Sequence, residues 1–257
     1  MGVSRSLAAL AGCAGAVVLA LSGPAVAEEF TWSASLTGTS DYVFRGISQT
    51  DNDPTIQGSI NIGYGIFYAG VWASGIDIAP DGELEVDWYG GIKPSWKSPF
   101  GTVDFDFGVI YYTYPGYADP GGAEADYVEF KAGYSLPSLF IKNLTTGTTV
   151  FWSPEYSGEV GEVWTTESVA SYTLPKVWVF DPTISGLLGW QKGEASQNFD
   201  VGGDDEYYYW NAGLTLGVEN LSFDFRYWDT DVDGGGGLCG VNLCDERFVF
   251  SATVTVP

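Results

Sequence analysis

From Thr31 to Arg45 the chain alternates between two kinds of residue. Trp32, Ala34, Leu36, Gly38, Ser40, Tyr42 and Phe44 fall on one face, and Ser33, Ser35, Thr37, Thr39, Asp41 and Arg45 on the other. A period of two marks a β-strand whose faces meet different surroundings. The pattern returns with Ile56, Ile60, Ile62 and Tyr64 against Gln57, Ser59 and Asn61, and with Leu84, Val86, Trp88 and Ile92 against Glu85, Asp87 and Tyr89. Val103, Phe105, Phe107, Val109 and Tyr111 then oppose Asp104 and Asp106, and Val128, Phe130, Ala132 and Tyr134 oppose Glu129 and Lys131. Near the end, Leu221, Phe223, Phe225 and Tyr227 oppose Asp224 and Arg226, and Phe248, Phe250, Ala252, Val254 and Val256 oppose Arg247, Ser251, Thr253 and Thr255. Segments near 66–76, 144–154, 162–173, 183–192 and 206–217 also read as strands, although 66–76 and 162–173 do not reveal their faces. Twelve strands result, with no helical period beyond the N-terminal segment.

Long alternating strands serve two architectures. In a soluble sandwich the apolar face points into a shared core. In a transmembrane barrel it meets lipid, and the polar face lines the interior. Strand length favours the barrel, since roughly 9–11 residues span a membrane at the usual tilt whereas soluble strands centre on about 5–6. Aromatic residues recur near strand ends, among them Trp32, Phe44, Tyr64, Trp88, Tyr111, Tyr134, Trp152, Trp190, Tyr227 and Phe248, as interfacial girdles require. The connections alternate too. One set, 46–54, 77–83, 114–125, 155–161, 193–205 and 229–245, gathers the acidic residues; the other, Gly65, 94–101, 136–143, 174–182 and 218–220, is shorter and holds Lys97, Lys142 and Lys176. The expected fold is therefore all-β, an antiparallel up-and-down transmembrane barrel of about 12 strands with acidic external loops and short periplasmic turns.

Residues 1–27 have a short basic start with Arg5, an apolar run from Leu7 to Leu21 and the small-x-small ending Ala25-Val26-Ala27. This is the form of a cleaved signal peptide, leaving 28–257 as one barrel domain in the bacterial outer membrane. A lipoprotein-type site at Cys13 is disfavoured because the apolar run continues beyond it. Composition sharpens the picture. With 33 acidic residues against 10 basic ones and a net charge of −23, the chain offers no basic surface for nucleic acid. It has no histidine, so no Ser/His/Asp triad or His-based metal centre can be built from it.

The run Ser40-Asp41-Tyr42-Val43-Phe44-Arg45-Gly46-Ile47-Ser48-Gln49-Thr50-Asp51, followed by Asp53-Pro54-Thr55-Ile56-Gln57-Gly58, resembles the opening signature of the TorF porin family, also described as the Gcw_chp family of proteobacterial proteins. Phe67-Tyr68-Ala69-Gly70-Val71-Trp72-Ala73-Ser74 and Glu83-Leu84-Glu85-Val86-Asp87-Trp88-Tyr89-Gly90-Gly91 continue the resemblance. It implies an outer-membrane barrel with a porin role and brings no catalytic residues. Its signature positions here are Asp41, Tyr42, Arg45, Gly46, Ser48, Gln49, Pro54, Gln57 and Gly58.

The facing assignment sends Asp41, Glu85, Asp87, Asp104, Asp106, Glu129 and Asp224 inward against Arg45, Lys131, Arg226 and Arg247. A net-negative lumen would prefer cations and uncharged solutes. The expected function is passive diffusion of small hydrophilic solutes through a weakly selective porin. The alternative is a structural or adhesive barrel with a filled interior and cation-binding acidic loops. The carboxylate pairs Glu85/Asp87 and Asp104/Asp106 are too close and parallel for opposed acid and base roles, so no enzyme is expected. Asp229, Asp231 and Asp233 match the first half of a calcium loop, but Gly240 stands where the closing Glu belongs, leaving at most a loosely bound divalent cation and no other cofactor. Cys239 and Cys244 are expected to form a disulfide in an oxidising envelope. The partners implied are outer-membrane lipid, lipopolysaccharide, the barrel assembly machinery and the solutes themselves.

Overall fold

A computed structural model describes residues 30–257 apart from 79–81, 100, 118–123, 140, 195–198, 234–236 and 241. The segment read as a signal peptide lies outside the described residues. The strands are β1 (Phe30–Thr39), β2 (Val43–Phe44), β3 (Ile47–Ser48), β4 (Thr55–Tyr64), β5 (Phe67–Ile78), β6 (Gly82–Ile92), β7 (Ser95–Ser98), β8 (Gly101–Thr113), β9 (Tyr127–Pro137), β10 (Leu144–Ser153), β11 (Val163–Thr173), β12 (Asp181–Lys192), β13 (Glu206–Val218), β14 (Leu221–Thr230) and β15 (Arg247–Val256).

Each long strand pairs antiparallel with its sequence neighbour, and β1 pairs with both β4 and β15, from Ala34↔Val256 to Thr39↔Ser251 on the closing side. The result is a closed barrel of twelve staves, which leaves no sheet edge. The stave formed by β6 is interrupted. Its pairing with β8 runs from Val86↔Thr113 to Ile92↔Phe107, and β7 resumes it from Ser95↔Asp104 to Ser98↔Gly101. Pro94 has no N–H to give the ladder, and its carbonyl accepts from Phe105 instead. The segment 94–101, read from sequence as a turn, is thus mostly strand, β7 covering Ser95–Ser98 and β8 starting at Gly101.

Burial follows the alternation. Outward Leu36, Ile60 and Leu188 are 55%, 56% and 56% exposed, while inward Ser59, Ser74 and Thr165 are buried. A continuous apolar outer band of this extent is a lipid-facing surface. Tyr111, Trp152, Trp164, Trp190, Tyr208 and Phe248 ring it toward the long-loop end, and Phe30, Trp32, Tyr64, Phe67 and Trp96 toward the short-turn end. Trp152 and Trp164 donate their indole N–H to Glu162, and Trp190 to Glu206, as rings at a water boundary do. The structure also resolves the two strands whose faces were ambiguous. On β5, Trp72, Ser74 and Ile76 point inward, and on β11, Val163, Thr165 and Glu167 do.

The interior has two halves. Below the long loops its wall carries small polar side chains joined across strands, Ser35 to Ser59 and Thr37 to Thr253. Toward the long loops it is occupied by a hairpin from the first loop, packed among Trp72, Tyr112, Tyr127, Tyr207, Tyr209 and Trp228.

Candidate functional site

The signature segment builds that hairpin. Strand β1 stops at Thr39, and residues 41–48 are all buried inside the barrel mouth. Val43 and Phe44 pair with Ser48 and Ile47 around a two-residue turn. Both turn residues have positive φ, Arg45 at 52° and Gly46 at 85°, the geometry of a type I′ hairpin. Gly46 is required twice over. A Cβ there would stand 2.5 Å from Thr230 Cγ2 and 2.9 Å from Tyr209 Cβ.

Asp41 and Arg45 were expected four residues apart on one strand face. They belong instead to opposite ends of the hairpin, because the chain turns off the wall before either. Asp41 organises the base. Its carboxylate accepts from Ser48 Oγ at 2.7 Å, Thr50 Oγ1 at 2.8 Å and Arg247 at 3.1 Å. Ser48 Oγ in turn accepts from the backbone N–H of Asn52, and the Gln49 N–H donates to the Tyr42 carbonyl. Arg45 forms the tip. Its two terminal nitrogens donate to the two Glu129 oxygens, each at 2.8 Å, with side chains 2% and 0% exposed. The guanidinium also lies 4.6 Å from the Phe44 ring centre and 5.2 Å from that of Phe151. Burial opposes its charge, but Glu129, with Tyr156 and Tyr209 adding to it, more than offsets that and holds the Arg45 pKa above its ordinary value. Tyr207 donates to the Arg45 carbonyl, and Tyr112 donates to Glu129.

The other sequence candidates point inward but do not form one ring. Glu85 and Asp87 sit beside the hairpin, 2% and 3% exposed. Lower down, Asp106 binds Lys131 at 2.9 Å and lies 3.8 Å from Lys93, while Asp104 accepts from Ser95 nearer the turn end. Arg226 is tied to Asp224, Asn211 and Ser185. Arg247 clamps the hairpin base, reaching Asp41, Asn52 and the carbonyls of Asn242 and Asp245. Of the remaining signature residues, Gln57 and Gly58 lie on β4 and exposed Pro54 leads into it.

Cys239 and Cys244 form the expected disulfide. The ring they close rests on the hairpin, where Leu243 accepts from the Ser48 N–H and Cys244 from the Thr230 hydroxyl. The three loop aspartates are not gathered. Asp229 accepts from Tyr227 and Thr230, Asp231 accepts from the Tyr208 N–H, and Asp233 lies exposed; among the described residues no three Asp, Glu or Cys side chains converge on one point. Sequence reasoning missed Lys93, Gln191 and Glu167, which accepts from Tyr209 at 2.7 Å. Alternation through Val163, Thr165 and Glu167 carried that signal, but Trp164 and Val169 blurred the faces.

A closed barrel with an apolar belt, interfacial aromatic girdles and a polar, loop-occupied interior is an outer-membrane barrel protein. The chain belongs to the Gcw_chp family, described as a bacterial protein of unknown function, whose model matches residues 24–256. Among solved structures it is similar to the NanC porin, with 10% identity over 86% of this chain and 97% of that chain and a TM-score of 0.54. LpxR from Salmonella typhimurium matches with 10% identity over 87% and 99% of the chains at a TM-score of 0.43. A loop-deletion mutant of OmpT, an outer membrane protein of Vibrio cholerae, matches with 10% identity over 90% and 100% at 0.39. At such identities the likeness shows the fold alone. No curated protein matches the sequence. One expectation is corrected. Exclusion of an enzyme does not stand: the spacing of two carboxylate pairs and the lack of histidine do not rule out enzymatic chemistry in such a barrel. The missing histidines remove histidine-dependent chemistry and no more, and at 10% identity LpxR assigns this chain no activity.

Proposed function

We propose that this chain is an outer-membrane porin for small hydrophilic solutes, in the sense of the TorF family, held closed by its first external loop. The observation that carries the reading is the way the hairpin is held. A permanent plug is best built from apolar side chains, whereas a buried ion pair contributes little net stability and serves chiefly to specify one arrangement. Here Val43, Phe44 and Ile47 pack among aromatic side chains, but the tip rests on the Arg45–Glu129 pair and the base on the Asp41–Arg247 pair, with polar wall below. Charges in the lower lumen are largely paired, Lys131 with Asp106 and Arg226 with Asp224, which favours weak selectivity over a strong cation preference. Export by residues 1–27 and insertion by the barrel assembly machinery into lipid and lipopolysaccharide belong to the same reading.

Planar-bilayer recording tests it. Native protein is expected to conduct rarely, and a variant lacking residues 42–49 to conduct steadily. Silence from the folded deletion variant overturns the channel. A filled structural barrel is the second reading, favoured by the complete burial of residues 41–48, and it predicts that silence.

A further inference from the structure

Beside the hairpin, the barrel wall holds two buried carboxyl groups that, among the described residues, form no ion pair. Glu85 and Asp87 lie two residues apart on β6, share its inner face and are almost fully buried. The cation that the hairpin brings to this region, Arg45, is committed to Glu129 through both terminal nitrogens. Asp87 Oδ1 closes no well-formed hydrogen bond, although its carboxyl lies against that of Glu85. Glu85 Oε1 is 3.5 Å from the Tyr114 hydroxyl, a long contact. From the hairpin side the buried Tyr42 hydroxyl approaches Glu85. It closes no well-formed hydrogen bond with that or any other group. Three elements thus aim oxygen atoms at one small region: β6, the segment after β8, and the chain entering the hairpin.

We propose that Glu85 and Asp87, with the hydroxyls of Tyr42 and Tyr114, bind a divalent oxygen-seeking cation of the Ca²⁺ or Mg²⁺ class between the wall and the hairpin. The donor set contains only oxygen, which selects hard cations over those that prefer nitrogen or sulfur. The two carboxylates match a double positive charge. Because Tyr42 belongs to the hairpin, the complete site exists only when the hairpin is seated, so the cation stabilises the closed barrel by mass action. That last consequence rests on the channel reading; the binding itself does not.

The test uses the full mature chain in detergent, stripped with chelator and titrated with CaCl₂ and MgCl₂ by calorimetry and thermal melting. Native protein should bind one cation and melt higher as its concentration rises. Glu85→Gln/Asp87→Asn should weaken binding by roughly 100-fold or more, since ligand charge sets affinity. Asp231→Asn/Asp233→Asn, altered only in the exposed loop after β14, should bind as native protein does. No response to either metal overturns the site, and so does binding lost in the loop variant but kept in the β6 variant. Should the β6 variant fail to fold, Tyr42→Phe decides: weaker binding supports the site, and unchanged binding overturns it. Conductance of the hairpin-deleted barrel judges the channel reading separately, because calorimetry needs no current.

Discussion

Replacing Arg45 with Ala isolates the energetics of the hairpin tip. The substitution leaves Glu129, whose side chain has no solvent exposure, without its bidentate partner, and it removes the contacts with the Phe44 and Phe151 rings. Breaking a buried pair from one side costs about 3–5 kcal/mol, because the surviving charge stays desolvated. The wall cannot relax cheaply, since β9 is paired along its length with β8 and β10. The hairpin can, so the cost falls on its seating. With each ~1.4 kcal/mol worth a factor of ten, the ratio of seated to unseated hairpin should drop roughly 100- to 4,000-fold. Two readouts report it: protease cleavage within 42–49 while heat-modifiable gel migration shows the barrel intact, and open probability in a planar bilayer. The double variant Arg45→Met/Glu129→Leu removes both charges and should return the hairpin to near-native protection. If Arg45→Ala remains as protected and as silent as native protein, or the double variant is worse than the single one, the assignment of seating energy to this pair is wrong.

Other substitutions probe separate parts of the same design. Gly46→Ala, at φ 85° and crowded by Thr230 and Tyr209, should destabilise the seated hairpin by about 1–3 kcal/mol, visible as faster cleavage in the same protease assay. Asp41→Ala, which strips partners from Ser48, Thr50 and Arg247, should loosen the hairpin base by about 1–3 kcal/mol with the barrel itself unchanged in heat-modifiability. Cys239 and Cys244 should resist alkylation until reductant is added, and replacing both with Ser should cost the last loop about 2 kcal/mol, read as earlier proteolysis between 238 and 246. On the lipid face, Ile60→Arg should cost about 2–4 kcal/mol in refolding titrations, whereas inward Ser33→Arg should cost much less.

Most of the wall was legible from sequence because it obeys a local rule. Each of Ile56, Ile60 and Ile62 declares its face by the polar neighbour between, and lipid outside with polar atoms inside preserves that contrast along the strand. The hairpin was not legible for the same reason. Its residues continue the period of two past Thr39, so Asp41 and Arg45 read as further strand, although their partners, Arg247 and Glu129, lie 206 and 84 positions away. The pairing of those charges cannot be inferred from spacing, and Glu129 looked like one more lumen carboxylate. Lys93-Pro94 shows the opposite failure. A proline was taken as the edge of a turn when the stave absorbs it with a local break and resumes in β7.

The hairpin also ties the molecule's assembly to its completion. Its tip needs Glu129 on the sixth stave of the chain and its base needs Arg247 on the twelfth, yet the hairpin itself follows directly after the first. Local turns such as Phe44 to Ile47 close within microseconds, but contacts across hundreds of residues must wait for the chain between them to be placed. The loop made first therefore settles last. Its seating registers that the final strand has met the first, and a barrel stalled one strand short would leave Asp41 without its arginine and the hairpin open to proteolysis.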